Sequence, residues 1–117
     1  LGTGSASGTT ITVDLDTGNF FEADLNSASG NIVTFTINNV NATSGYVSNF
    51  LLKVKQHASS AKAITWATVV SNGTNVDWAG GTGPDVTTTA NAIDIFSFTT
   101  YDNGTTWYGG IVGQEFG

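Results

Sequence analysis

From Thr9 onward, apolar residues recur at every second position. Ile11, Val13 and Leu15 alternate with Thr10, Thr12 and Asp14, and Phe21, Ala23 and Leu25 share one face beyond the turn signal DTGN. A period of two is that of a half-buried strand, because successive Cβ atoms point to opposite sides. The segments flanking DTGN are therefore expected to pair as a β-hairpin. Val33, Phe35 and Ile37 read as inward against Thr34, Thr36 and Asn38; Phe50, Leu52 and Val54 read likewise against Leu51, Lys53, Lys55 and His57. Ile64 and Trp66 align in KAITWAT, and AIDIFSFTT and TTWYGGIVGQEF join through YDNGTT, whose Asn103-Gly104 is the strongest hairpin signal in the chain. No window keeps an apolar period of 3.6 residues. About eight strands at short intervals, with an irregular crossing from Trp66 to Asp94, predict an all-β fold: an antiparallel β-sandwich of jelly-roll type, ahead of an immunoglobulin-like sandwich.

The last strands are apolar on both faces, with Phe96 and Phe98 opposed to Ile93 and Ile95, and Trp107 opposed to Tyr108. One face fills a core, so the other needs a cover, and an identical subunit is the simplest. Ile93, Ile95 and Leu51 are the candidate subunit interface. Before the first alternating segment, LGTGSASG is small and coreless, which predicts a flexible N-terminal arm or linker over residues 1–8 and a single sandwich domain over residues 9–117. Its glycine spacing has neither the preceding strand nor the following helix of a nucleotide fingerprint.

Composition narrows the function. A chain of 117 residues makes one domain of modest stability, for which a partner chain is an advantage. A net charge of -6, with three Lys against nine carboxylates, repels phosphate backbones and argues against nucleic acid. Charged residues are only 10% of the chain, so Asn, Thr, Ser and Gly carry the polar surface, as on extracellular and virion surfaces. Cysteine is absent, which excludes disulfides and thiolate metal sites, and no run approaches the length of a membrane span. Methionine is absent too, even at Leu1, and the chain is expected to be a processed product or a piece of a longer one.

Candidate chemistry is sparse. Glu22 and Asp24 share a strand face at roughly 7 Å, loosely the separation of an inverting glycosidase pair, but a solvated face is the simpler reading. The face bearing Lys53, Lys55 and His57 reads the same way. His57 is the single histidine and has no acidic neighbour in sequence, and GSASG carries alanine where a nucleophile elbow needs serine. DLDTGN begins like a calcium loop, yet Leu25 stands where the bidentate Glu belongs. Asp102-Asn103-Gly104 and Gly83-Pro84-Asp85 read as turns rather than ion ligands. No cofactor is expected.

The order of pieces from Trp66 onward carries a resemblance: a strand ending in ITW, a short loop to Trp78, AGGTGP, a Thr-rich bridge, IDIFSFTT, a Gly-bearing hairpin and WYGG. With DLDTGNFFEADLNSASGNIVTFTINNV and NFLLKVKQ before it, the chain resembles the jelly-roll modules of bacteriophage virion proteins: tail-fibre and tailspike tips, head fibres and capsid decoration proteins. The resemblance covers nearly everything after the arm. It implies a homotrimer, structural roles for Trp66, Trp78, Pro84, Asp94, Phe96 and Phe98 in the core and under the long loop, and attachment to other virion proteins through the N-terminal arm. This chain departs from it at Ala67, where proline is frequent.

The expected function is thus a non-enzymatic structural domain on the virion surface, on capsid or tail, in contact with itself, with other virion proteins and with host-surface polysaccharide. The alternative is an extracellular carbohydrate-binding module of a secreted enzyme or adhesin, with Trp107 foremost, then Tyr108, Tyr101 and Trp78, as stacking residues. A small glycoside hydrolase or lyase using Glu22 with Asp24 comes third.

Overall fold

Alternating segments become strands, and their inward residues interlock. The computed structural model describes residues 2, 4–41, 43, 45–66 and 76–117. Among them run eight strands: β1 Gly4–Ser7, β2 Thr10–Asp14, β3 Phe20–Asp24, β4 Thr34–Asn38, β5 Ser48–Lys55, β6 Val76–Trp78, β7 Ile93–Thr100 and β8 Trp107–Phe116. Single 3-10 turns occur at Leu25–Ser27 and Ala79–Gly81, and the described residues contain no α-helix.

β1, β2 and β4 form one sheet in that order, and β3, β5, β7, β8 and β6 form the other. Ile11, Val13, Phe35 and Ile37 from the first sheet pack with Phe21, Ala23, Phe50, Leu52, Val54, Phe96, Phe98 and Trp107 from the second in one buried cluster. Full burial of each such large side chain contributes about 1.5–3 kcal/mol. Phe35 bridges the sheets, its ring 6.2 Å from Phe50, 5.3 Å from Phe98 and 6.0 Å from Trp66.

The strand partners differ from expectation in three ways. The segments around DTGN are not a hairpin: β2 and β3 lie in different sheets, and the turn between them carries the chain across the sandwich. Asp14 shapes that crossing, its Oδ1 accepting from the Asp16 N–H and its carbonyl from Thr17. Because the chain changes sheets there, β2 meets β4 and β3 meets β5 in parallel. β6 and β8 are also parallel, while the other three pairings are antiparallel, so both sheets are mixed where an antiparallel sandwich was expected. Finally, within the expected arm, residues 4–7 form β1, with Ala6 buried and Ser5 and Ser7 exposed. Leu1 and Thr3 of that arm lie outside the described residues. Val33, read as inward, is 45% exposed because it precedes β4 and its N–H turns to the Thr9 carbonyl.

Among the described strands, two hairpins join neighbours in sequence: β1 to β2 through Gly8-Thr9, and β7 to β8. Asn103 and Gly104 both have positive φ, 61° and 83°, and the Thr105 N–H reaches the Asp102 carbonyl, the geometry of a type I′ turn. Of the stretch from Trp66 to Trp78, residues 67–75 lie outside the described part, and with them most of the expected short loop and the Ala67 position.

Candidate functional site

The aromatic residues expected to meet sugar divide sharply. Trp107 has no exposed surface, because its parity on β8 puts it on the inner face, where its ring stands 5.5 Å from Phe50. Trp78 packs 5.1 Å from Trp66, 5.5 Å from Phe98 and 6.0 Å from Phe96. Trp107 is closed off as a stacking platform, whereas Trp78 is only half-buried and keeps an edge on a surface hollow beside Asp77 and Gly81; among the described residues neither Nε1 has a hydrogen-bond partner. Tyr101 and Tyr108 remain outside, 64% and 51% exposed with ring centroids 6.1 Å apart at the hairpin end.

Sequence and packing together account for the Trp–Gly–Pro stretch. Gly109 lies opposite Trp78 in the parallel β6–β8 pair, and a Cβ there would come within 2.8 Å of Trp78 Cε3 and Val76 Cγ1. A Cβ on Gly83 would sit 3.1 Å from Trp66 Cβ and 3.2 Å from Trp78 Nε1. The chain thus passes over both indoles where it has no side chain. Trp66 Nε1 then donates to the Pro84 carbonyl at 2.9 Å, holding the loop to the core.

Asp94 anchors the far end of this loop. Buried on the inner side of β7, it accepts from the Thr87 N–H at 2.7 Å, the Glu115 N–H at 2.9 Å and Gln114 Nε2 at 3.2 Å. Phe96 and Phe98 continue inward without exposure. Gln56 was not singled out by the sequence. Its fully buried carboxamide donates to the Lys62 and Thr87 carbonyls, both at 2.9 Å, and accepts from the His57 and Lys62 N–H groups at 2.7 and 2.9 Å. One side chain therefore ties the loop after β5 to the loop before β7. A polar residue continuing the inward parity of Phe50, Leu52 and Val54 was its only sequence signal.

Glu22, Asp24, His57 and Asp102 each have a structural partner. Glu22 pairs with Lys53 at 2.9 Å across the parallel β3–β5 register. Asp24 caps the first 3-10 turn by accepting from Asn26 N–H and Nδ2. His57 Nδ1 accepts from the Ser59 and Ser60 N–H groups. Asp102 accepts from the Thr106 N–H at 2.8 Å and the Thr100 hydroxyl at 2.9 Å. The Thr106 N–H holds the Asp102 carboxyl below its ordinary 3.8; partial desolvation opposes that shift, and the Thr100 hydroxyl adds to it. Among the described residues no group of three or more His, Cys, Asp or Glu is placed to hold a metal ion.

Two surfaces remain. The outer face of the five-stranded sheet carries Leu51, Ile95 and Ile93, all partly exposed, on successive cross-strand rows. Phe20 neighbours Leu51, the Glu22–Lys53 pair neighbours Ile95, and the Phe116 ring lies over Gly113 beside Ile95. At one end of the sandwich, the β2–β3 turn and the β4–β5 loop enclose an open groove of about 520 Å³ lined by Leu15, Asp16, Asn19, Val40, Val47 and Asn49, among others. Asn19 and Asn49 also border a hollow of about 290 Å³ that ends at Leu51 and Thr99. Nothing in the sequence pairs residues 15–19 with 39–49; only the change of sheet brings them together. No protein family, curated protein or solved structure matches this chain.

Proposed function

We propose that the chain is a non-enzymatic structural module of a bacteriophage virion, a jelly-roll domain of the decoration, head-fibre or tail-fibre-tip kind that assembles as a homotrimer. One observation carries the reading: the outer face of the five-stranded sheet sets partly exposed Leu51, Ile93 and Ile95, flanked by Phe20 and Phe116, among Glu22, Asp24, Lys53, Lys55 and Ser97, so that apolar and polar side chains share each cross-strand row. A second copy laid on that face buries these side chains and shields the Glu22–Lys53 pair. The carboxylates and the histidine support a non-catalytic role, because Glu22, Asp24, Asp94, Asp102 and His57 are each engaged in holding strands, turns or loops. The virion setting rests on the resemblance of the order from Trp66 to WYGG.

Sedimentation velocity at micromolar concentration tests it: the expected species has three times the 12.1 kDa mass of one chain. Ile95→Lys should dissociate that species while leaving the fold intact. A wild-type chain that sediments as a monomer overturns the reading. A second reading, a carbohydrate-binding module, is favoured by the exposed Tyr101–Tyr108 pair. It requires saccharide binding by a monomer and loss of that binding on Tyr108→Ala.

A further inference from the structure

We infer that the groove between the β2–β3 turn and the β4–β5 loop is a binding site for a neutral saccharide. This proposal does not rest on trimer formation, and the groove shares no lining residue with Leu51, Ile93 and Ile95.

The groove follows from strand lengths. β5 begins at Ser48, but its pairing with β3 begins only at Leu51, opposite Phe20. Residues 48–50 therefore have no strand neighbour on that side, and the crossing turn stands off from them and leaves a trough. Its volume of about 520 Å³ falls in the ~300–1,000 Å³ range of small-ligand sites.

The described residues of its walls are held by hydrogen bonds within the protein. Asp14 Oδ1 accepts from both the Asp16 N–H and Asn39 Nδ2, and the Leu15 N–H reaches the Asn38 carbonyl, which clamps the turn to the end of β4. Across the groove, Asn41 Oδ1 accepts from the Thr43 N–H, and the Asn41 N–H faces Ser48 Oγ at 3.4 Å. Such prior ordering lowers the entropy lost on binding.

Two groups are left over. Asn19 and Asn49 both line the groove, both are exposed, and among the described residues neither carboxamide has a hydrogen-bond partner. Each offers a donor and an acceptor edge, the pattern that adjacent sugar hydroxyls complement. Leu15, Val40 and Val47 supply aliphatic surface for sugar C–H groups. No Lys or His lines the trough, and Asp16 is its single charged residue, so sialylated, uronate and phosphorylated sugars are repelled while neutral hexoses and N-acetylhexosamines are not.

The full-length chain on an array of neutral and acidic glycans, followed by backbone-amide NMR titration with the strongest neutral binder, tests the site. We expect neutral glycans to be retained, acidic ones not, and shifts centred on Asn19, Asn41, Ser48 and Asn49. Asn19→Ala and Asn49→Ala should each lose about tenfold in affinity, the effect of one or two hydrogen bonds to the ligand, with melting temperature unchanged. The proposal is overturned by an array without neutral binders, by acidic glycans bound equally well, by shifts centred on Tyr101 and Tyr108 instead, or by full affinity in both Asn variants. Sedimentation of the same sample reports self-assembly separately, so failure of one reading leaves the other measurable.

Discussion

Gln56→Glu changes one atom type in a fully buried side chain that uses its whole carboxamide. The two acceptor contacts from His57 and Lys62 survive the substitution, but the two donor contacts do not. In their place a carboxylate oxygen faces the Lys62 and Thr87 carbonyl oxygens, 2.9 Å from where the amide nitrogen stood. If the acid takes up a proton it can satisfy one carbonyl and not the other. Two lost bonds at about 1 kcal/mol each, plus one carbonyl left unsatisfied, amount to roughly 3 kcal/mol. For a domain of this size that lowers the melting temperature by about 10 °C. Burial and the facing carbonyls raise the folded-state pKa of the new carboxyl above its unfolded value near ~4.3, so the folded state holds the proton more tightly. The defect is therefore smallest below the unfolded pKa and grows as pH rises through the folded one. Calorimetric melting at pH 4 and pH 7, with Gln56→Leu as a variant lacking all four contacts at either pH, reads this directly. A Gln56→Glu protein that melts with the wild type at pH 7, or one whose deficit does not change with pH, refutes the account.

Gly109→Ala places a methyl 2.8 Å from Trp78 Cε3 and Val76 Cγ1, and should cost about 1–3 kcal/mol in denaturant titrations followed by tryptophan fluorescence; an unchanged midpoint would mean β6 does not pack there. Since the folded-state pKa of Asp102 is depressed, its stabilising contribution is fully present above 3.8 and is lost as pH falls through the lowered value. Asp102→Asn should thus weaken the fold at neutral pH, and its deficit should close in strong acid; a constant deficit across that window contradicts the assignment. Lys53→Ala removes a half-exposed ion pair and should shift stability by no more than ~1 kcal/mol, less in high salt. If the proposed trimer forms, a larger loss in trimer than in monomer stability would place Lys53 at the subunit contact.

Which side of each strand faces inward was legible, because period two survives any choice of partner. Phe35, Ile37, Phe50, Leu52, Val54, Phe96 and Phe98 all point into the core as their parity requires. Which strand lies beside which was not legible. A turn such as DTGN has the same composition whether the chain folds back within a sheet or crosses to the other, and here it crosses. β1 escaped notice because Gly, Ser and Ala give no apolar period; its ladder to β2 from Gly4 to Ser7, with Ala6 buried, is what seats it. Trp107 was misplaced because closeness to a hairpin tip suggested exposure; its parity, shared with Gly109 and opposite to that of Tyr108, decides otherwise. The Asn-lined groove left no trace, since its two walls meet only after the sheets have formed.

Dealing β2, β3, β4 and β5 alternately to two sheets also constrains how the chain comes into being. Among the described strands only β1 with β2, and β7 with β8, pair across a short local turn; β5 has β3 on one side, but its other edge stays open until β7, which begins at Ile93. As the polypeptide leaves the ribosome, the segments bearing Phe21, Phe35 and Phe50 emerge well before the strands that cover them. The larger sheet therefore cannot be completed until the β7–β8 hairpin is available to it.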